Sequence, residues 1–129
     1  MRCYRGKRKN TGEWVYGYFC MFGESAQIFV PFTEEQKEEN KGHFLEKASG
    51  MWYEVNPATV GQETGIPDKN GKMIFEGDCI NHPLNIVEFL DGTFCVNGDR
   101  PLYWMAEHGE VIGNRHDNPE LLEIEEEDQ

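Results

Sequence analysis

Short runs of apolar and aromatic residues, separated by glycine, proline, asparagine and aspartate, recur along the 129-residue chain. Runs of this kind between turn residues are typical of β-strands. We therefore predict a mainly β protein. The predicted strands cover residues 3–4, 13–21, 26–31, 51–55, 79–80, 86–90, 93–96, 102–106 and 111–112. Residues 6–12 are mostly polar and are predicted to form a turn.

The predicted strand at 13–21 carries apolar side chains on both of its faces. Side chains alternate along a strand, so every second residue shares a face. One face carries Trp14, Tyr16, Tyr18 and Cys20, and the other carries Val15, Gly17, Phe19 and Met21. We therefore expect this strand to lie in a sheet that is buried on both sides, or at an interface between subunits.

Residues 33–50 break the strand pattern. The sequence from Thr33 to Gln36 fits a capping box, in which a threonine caps a helix and a glutamine lies at the third helical position. Few apolar residues follow, and an isolated helix of this length is only marginally stable. The segment is predicted to be either a short helix or a mobile acidic insertion.

Turn residues divide the second half of the chain into short pieces. Asp91-Gly92 and Asn97-Gly98 are turn signals, and Asn70-Gly71 suits the positive φ angles of a type I′ hairpin. The segment from Asp68 is interpreted as a turn rather than a calcium loop, because its twelfth position is Cys79, which is not a calcium ligand.

The spacing of these elements predicts two small β subdomains. About five short strands with tight turns over ~40 residues suggest a small barrel of SH3-like size. The predicted division is residues 1–57 for an N-terminal subdomain with the acidic insertion and 58–122 for the SH3-like subdomain. Residues 123–129 are predicted to form an acidic tail.

The net charge of −12 is unevenly distributed along the chain. Five of the 12 basic residues lie within the first nine positions: Arg2, Arg5, Lys7, Arg8 and Lys9. The remainder carries seven basic and 24 acidic residues, a balance of −17. A basic arm thus precedes an acidic body, whose repulsion opposes direct binding of nucleic acid.

The cysteines and the hydropathy pattern indicate a cytoplasmic protein. Cys3, Cys20, Cys79 and Cys95 form no CxxC pair and have no zinc-ligand spacing, so we expect reduced thiols, no metal and no cofactor. No apolar run approaches the ~18 residues that a membrane span needs, and no signal peptide is recognised. We expect the cytoplasm of the cell that makes the protein and no membrane partner.

Residues with catalytic potential are few. Glu76 and Asp78 would share one face of a strand, where two carboxylates can split their pKa values or bind a hard cation. Gly77 between them indicates a bend, and aspartate in a bend commonly accepts backbone N–H groups. The histidines, at positions 43, 82, 108 and 116, are isolated from one another. We therefore assign no catalytic, cofactor-binding or metal-binding residue.

Aromatic residues are the remaining candidates for a binding surface. They are Trp14, Tyr16, Tyr18, Trp52, Tyr53, Tyr103 and Trp104. Stacking on nucleic-acid bases would require a basic groove beside them. Aromatic residues contribute most strongly to protein cores and subunit interfaces, so one of these roles is favoured over base stacking. We therefore predict a homo-oligomer.

Two sequence blocks resemble the YopX family, small proteins carried by phages and prophages. The first block is VGQETGIPDKNGKMIFEGD, beginning at Val60, and the second is EVIGNRHDNPELL, beginning at Glu110. The resemblance implies a phage or prophage accessory protein in the cytoplasm of a host bacterial cell, with a host or phage protein as a further partner. It also implies variability at 33–50, and it supplies no activity. We predict a non-catalytic role in protein binding or self-assembly.

Two alternative functions remain open at this stage. The acidic body suits a mimic of nucleic acid or an inhibitor of a host nucleic-acid-binding protein. A hydrolytic or metal-dependent enzyme would require a site assembled in space from Glu76, Asp78 and a histidine.

Overall fold

A computed structural model describes residues 3–118 of the chain, and these residues form a mainly β protein, as predicted. They fold as two compact units, the first at Cys3–Val60 and the second at residues 61–118. We call these the N-terminal unit and the C-terminal unit. None of the helices in the described range is long and apolar enough to cross a membrane.

The N-terminal unit is an antiparallel sheet with one helix and one 3-10 turn. Its elements are β1 (Tyr4–Lys7), β2 (Trp14–Phe22), β3 (Ser25–Pro31), α1 (Glu34–Glu39), β4 (Gly50–Glu54) and η1 (Pro57–Thr59). The strands lie in the order β4-β3-β2-β1, so each pairs with its neighbour in sequence. Regular hairpin pairing satisfies most of the backbone groups in this unit.

The residues that follow β1 pair with the residues at the end of β4 and just after it. Arg8 forms a β-bridge with Val55, and Lys9 N donates to Glu54 O at 3.1 Å. The predicted turn at 6–12 is therefore wrong in its first part, since β1 continues to Lys7. In β1 the basic side chains of Arg5 and Lys7 lie on the same face as Tyr16 and Trp14, opposite the aliphatic core.

Aliphatic residues fill the inner face of the sheet. Ala26, Ile28 and Val55 are buried, and Val15, Phe19, Val30 and Val60 pack against them. The alternation predicted for β2 is present, because Val15 and Phe19 lie on this inner face while Tyr16 and Tyr18 lie on the opposite one. The opposite face remains about half exposed to solvent in the monomer.

The capping box at the start of α1 is confirmed. Gln36 N donates to Thr33 Oγ1 at 3.1 Å, and Thr33 N donates to Gln36 Oε1 at 2.9 Å. The helix ends after six residues and none of them is buried. For residues 33–50 the sequence predicts either a short helix or a mobile insertion. The protein forms the short helix, and turns follow it.

The C-terminal unit consists of shorter strands. Its elements are β5 (Gly61–Pro67), β6 (Met73–Phe75), β7 (Asp78–Ile80), β8 (Val87–Leu90), β9 (Thr93–Val96), β10 (Arg100–Pro101), α2 (Leu102–Ala106) and β11 (Val111–Asn114). Antiparallel pairs join β5 to β6 and β7 to β11, and β10-β9-β8 form a three-stranded sheet. The core contains Ile74, Ile80, Val87, Phe94, Val96, Leu102 and Ala106.

Residues 102–106, predicted as a strand, form the helix α2 instead. Leu102 and Ala106 are both buried, and residues four apart lie on one face of a helix. A run of five apolar residues is too short for its hydrophobic periodicity to distinguish a helix from a strand. The burial of Leu102 and Ala106, four residues apart, fits the helix. Strand β5 was not predicted, because its glycines and polar residues hide the alternation.

The type I′ hairpin predicted at Asn70-Gly71 is also wrong. Such a turn requires positive φ at both central residues, and here only Gly71 has it. The Asp68 side chain accepts hydrogen bonds from Asn70 N and Lys72 N, both at 2.9 Å, and holds a longer turn. Asp91-Gly92, with φ of 53° and 83°, is the tight two-residue turn between β8 and β9.

Two predictions concern features that the described structure does not test. The acidic tail at 123–129 lies outside the described residues. The SH3-like character of the second half stays a prediction.

Candidate interaction surface

The outer face of the N-terminal sheet carries a group of aromatic side chains, which we call the outer aromatic face. It consists of Trp14, Tyr16, Tyr18, Phe22, Phe29 and Trp52. The strand register places Tyr18 opposite Phe29, and Phe29 opposite Trp52. Three rings therefore form one row across β2, β3 and β4.

Contacts between rings fix the positions of Phe22, Phe29 and Trp52. The Phe29 and Trp52 centroids lie 5.1 Å apart, and Phe22 meets Trp52 edge to face at 5.0 Å. A Cβ atom at Gly50 would lie 2.6 Å from Phe29 Cζ, so the glycine makes room for this ring. Packed aromatic rings lose little further conformational entropy on binding, which suits a recognition surface.

Much of this face is open to solvent. Tyr16 is 48% exposed, Tyr18 43%, Phe22 50% and Trp52 45%. An aromatic side chain presents about 150–250 Å² in full, so these four offer on the order of 400 Å². A patch of about 300–600 Å² is the largest on a typical monomer and is often functional.

The basic residues beside this face are engaged within the N-terminal unit. The Arg5 guanidinium lies 4.5 Å from the centre of the Trp14 ring, and Lys7 Nζ lies 5.5 Å from it. Arg8 stacks on Tyr53, and Lys9 pairs with Glu54 at 3.7 Å. In the described residues, the predicted basic arm is thus largely a strand whose cations have partners.

Formal charge differs sharply between the two halves of the chain. Residues 1–60 contain eight basic and eight acidic residues, so their net charge is zero. Residues 61–129 contain four basic and 16 acidic residues, so they carry the whole net charge of −12. The aromatic surface therefore belongs to the neutral half.

The structure brings together some of the predicted aromatic candidates and separates others. Four of the candidates lie on the outer aromatic face: Trp14, Tyr16, Tyr18 and Trp52. Tyr53 points to the opposite side, opposite Ile28, and the C-terminal unit contains Tyr103 and Trp104. The sequence analysis missed Phe22 and Phe29. Phe22 continues the alternation of β2 beyond Cys20, a signal that was available, whereas placing Phe29 required the strand register.

Glu76 and Asp78 have structural roles in the C-terminal unit. Asp78 is 1% exposed, and its Oδ2 accepts a hydrogen bond from Phe75 N at 2.8 Å. Glu76 Oε1 accepts from Gln62 N at 3.3 Å. Burial raises the pKa of the neighbouring Cys79 thiol, and the Asp78 carboxylate acts in the same direction. These groups hold the backbone, and the thiol is kept in its unreactive protonated form.

Gly77 lies at the bend that the sequence predicts. Its φ is +96°, which side chains rarely adopt, and its carbonyl accepts from Arg115 N at 3.1 Å. The Asn114 side chain in turn accepts from His116 N and Asp117 N. The two sequence blocks therefore meet at Gly77 and support each other.

Asp68 joins three separate backbone positions. Besides Asn70 N and Lys72 N, it accepts a hydrogen bond from Val111 N at 3.0 Å. The bond from Val111 N is the largest contribution that lowers the pKa of Asp68, and burial opposes it. The carboxylate thus ties the turn after β5 to the start of β11.

No metal-binding cluster is present between residues 3 and 118, where no group of three or more histidine, cysteine, aspartate and glutamate side chains could hold an ion. The four cysteines are in no disulfide: Cys3, Cys20, Cys79 and Cys95. The arrangement therefore offers one clear chemical feature in the N-terminal unit, a pre-ordered aromatic surface.

These observations describe a small, mainly β protein with two compact units. The sequence pattern of the family described as YopX protein matches residues 3–123, nearly the whole chain. The chain therefore belongs to the YopX family. A search of curated proteins returns no match.

Proposed function

We propose that this protein is a phage or prophage accessory protein that acts without catalysis, by contact between protein surfaces. The outer aromatic face is the contact surface, and its partner is a second copy of the chain. The observation that carries the proposal is the row formed by Tyr18, Phe29 and Trp52, in which Phe29 packs against Trp52 while Tyr18 and Trp52 are open to solvent.

Charge favours a second copy as the partner. Two identical surfaces can meet about a two-fold axis only if they do not repel each other. The N-terminal half has no net charge, and four of its basic residues are paired or stacked within the unit, namely Arg5, Lys7, Arg8 and Lys9. An anionic partner such as nucleic acid would find few uncommitted cations there.

The size of the surface sets the expected strength of the assembly. About 400 Å² per copy is roughly half of the ~800 Å² per partner in a standard stable interface. We therefore expect a weak, concentration-dependent dimer with a dissociation constant on the order of micromolar or higher.

The roles of the carboxylates support a non-catalytic function. A general acid or base must be free to exchange a proton with a substrate. Asp78 is instead buried against Phe75 N, and Glu76 binds Gln62 N. The pair that the enzyme alternative required is committed to the backbone.

Sedimentation equilibrium tests the proposal. The protein is measured from about 1 µM to about 1 mM, a range that brackets the weak affinity expected here. We expect the average mass to rise towards that of a dimer, and Tyr18→Glu or Trp52→Glu to keep it at the monomer value. Phe44→Glu is the matched control, because Phe44 is 86% exposed in the same unit but lies outside the sheet. A monomer mass at every concentration of the unmodified chain overturns the proposal.

A further inference from the structure

The C-terminal unit contains two adjoining clefts, and from them we infer a second binding site. We propose that these clefts bind an extended segment of a partner protein in which an apolar side chain lies two residues from a lysine or arginine. This site is independent of the outer aromatic face.

The first cleft has a volume of about 560 Å³, with polar walls and one wall of aromatic rings. Strand β5, the β8–β9 hairpin and Tyr103 of α2 form its walls. The lining residues are Gln62, Thr64, Gly65, Ile66, Phe89, Gly92, Thr93, Phe94 and Tyr103. The Phe89 and Phe94 rings lie 4.9 Å apart and make one continuous aromatic wall. A cleft of this size accepts one large apolar side chain together with its backbone.

The second cleft adjoins the first and is acidic. It has a volume of about 240 Å³ and includes Asp91 and Asp99 among its lining residues. Both clefts share Thr93 and Tyr103, so the Tyr103 side chain lies at their common border. A ligand that passes over Tyr103 would contact both clefts.

Helix α2 explains why Tyr103 is available. Leu102 and Ala106 face the core and are buried, and Met105 packs against it, whereas Tyr103 and Trp104 lie on the solvent side of the helix. Tyr103 is 62% exposed and Trp104 is 67% exposed, with their ring centroids 5.9 Å apart. Packing of the monomer does not require either ring to be covered.

The carboxylates of the second cleft differ from the structural carboxylates of this unit. Asp68 and Asp78 accept hydrogen bonds from backbone N–H groups. Within residues 3–118, the Asp91 and Asp99 side chains have no hydrogen bond or ion pair and are exposed. The nearest cation in sequence, Arg100, is exposed and does not line either cleft.

Charge therefore selects the class of ligand. Two unpaired carboxylates, in a half of the chain with a net charge of −12, attract a cation and repel phosphate groups. In an extended chain, side chains two residues apart point the same way and are about 7 Å apart. An apolar residue in the first cleft would thus place a lysine or arginine two positions away near the second.

Fluorescence anisotropy with labelled peptides tests this site in the full-length protein. The probes are fluorescein-labelled Gly-Ser-X-Ser-Arg-Ser-Gly peptides in which X is Leu, Phe or Tyr. In the comparison peptides, glutamate replaces the arginine or serine replaces X. We expect at least one probe to bind, and either replacement to weaken it by about tenfold or more, the effect of losing one well-formed contact.

Protein variants locate the binding. Tyr103→Ala and the double variant Asp91→Asn, Asp99→Asn should each weaken binding by about tenfold, and thermal melting should show that both remain folded. Tyr18→Glu, which disrupts the outer aromatic face, should bind the peptide as the unmodified chain does. This variant separates failure of the present proposal from failure of the proposed self-association.

Three results would overturn the inference. The first is the absence of binding by every arginine-containing probe, and the second is equal binding of the glutamate peptides. The third is displacement of a bound probe by single-stranded RNA, which would indicate a site for phosphates instead of cations.

Discussion

The two units of this protein use their side chains in opposite ways. In the N-terminal unit, regular hairpins satisfy the backbone, aliphatic residues fill the core, and the aromatic rings of the outer face are left half exposed. In the C-terminal unit the strands are as short as two or three residues, and buried polar side chains hold them. The exposed rings of the first unit indicate a binding surface, whereas the buried polar residues of the second indicate a structural role.

Thr64 illustrates how the C-terminal unit depends on polar groups. It is 2% exposed, and its hydroxyl donates to Ile74 O at 2.7 Å and accepts from Ile66 N at 3.1 Å. Buried polar groups of this kind are costly when their partners are lost. The comparison therefore predicts that single polar substitutions damage the second unit more than the first.

Asp68→Ala should give the largest effect. It removes the acceptor of three part-buried hydrogen bonds, from Asn70 N, Lys72 N and Val111 N. A hydrogen bond to a charged group contributes about 1.5–3 kcal/mol, so we expect a loss of roughly 3 kcal/mol. Glu54→Ala is the matched change in the N-terminal unit. It removes an exposed pair with Lys9 and should cost less than about 1 kcal/mol. Urea unfolding measures both, and equal losses would contradict the contrast between the units.

Gly77→Val should destabilise the protein by about 1–3 kcal/mol, the range for a side chain in an unfavourable backbone region. The cause is conformational, since a Cβ at this position would lie 3.5 Å or more from its nearest neighbours, His116 and Arg115. Gly77→Asn is the control, because asparagine tolerates positive φ better than valine does. If both variants melt like the unmodified chain, the bend is not required.

Acidification should produce a smaller effect that depends on Asp68. Its pKa in the folded protein is below the ordinary value of 3.8. Its contribution to stability is therefore complete above that value and is lost as the pH falls through the folded pKa. Asp68→Asn should consequently be less destabilising at about pH 3 than at about pH 7, in urea titrations at each pH. A difference that does not change with pH would show that the carboxylate charge is unimportant.

Nucleic-acid binding should be absent. The cations of β1 are engaged with Trp14 or nearby groups, and the second half of the chain is strongly acidic. Electrostatic attraction to phosphates supplies most non-specific binding, and here little is available. A mobility-shift assay with duplex DNA and single-stranded RNA at physiological salt should show no complex at low micromolar protein. Tight binding that resists added salt would instead assign the outer aromatic face to base stacking.

Local features of the fold could be predicted from the sequence, and features set by distant residues could not. The capping box at Thr33 and the two faces of β2 depend on residues within a few positions of one another. The row that joins Tyr18 to Trp52 depends on the register of three strands, which no local pattern specifies. The bond between Asp68 and Val111 links residues 43 positions apart, so the sequence indicated only the turn.

Hydroxyl-radical footprinting tests the central claim most directly, because it reports solvent access of each aromatic side chain in both units. The labelling of dilute and concentrated protein is compared at Tyr16, Tyr18, Phe22 and Trp52, with Phe44, Tyr103 and Trp104 as exposed references. Our account predicts protection of the first four at high concentration and unchanged labelling of the references. Unchanged labelling of the outer aromatic face, or protection confined to Tyr103 and Trp104, would contradict it.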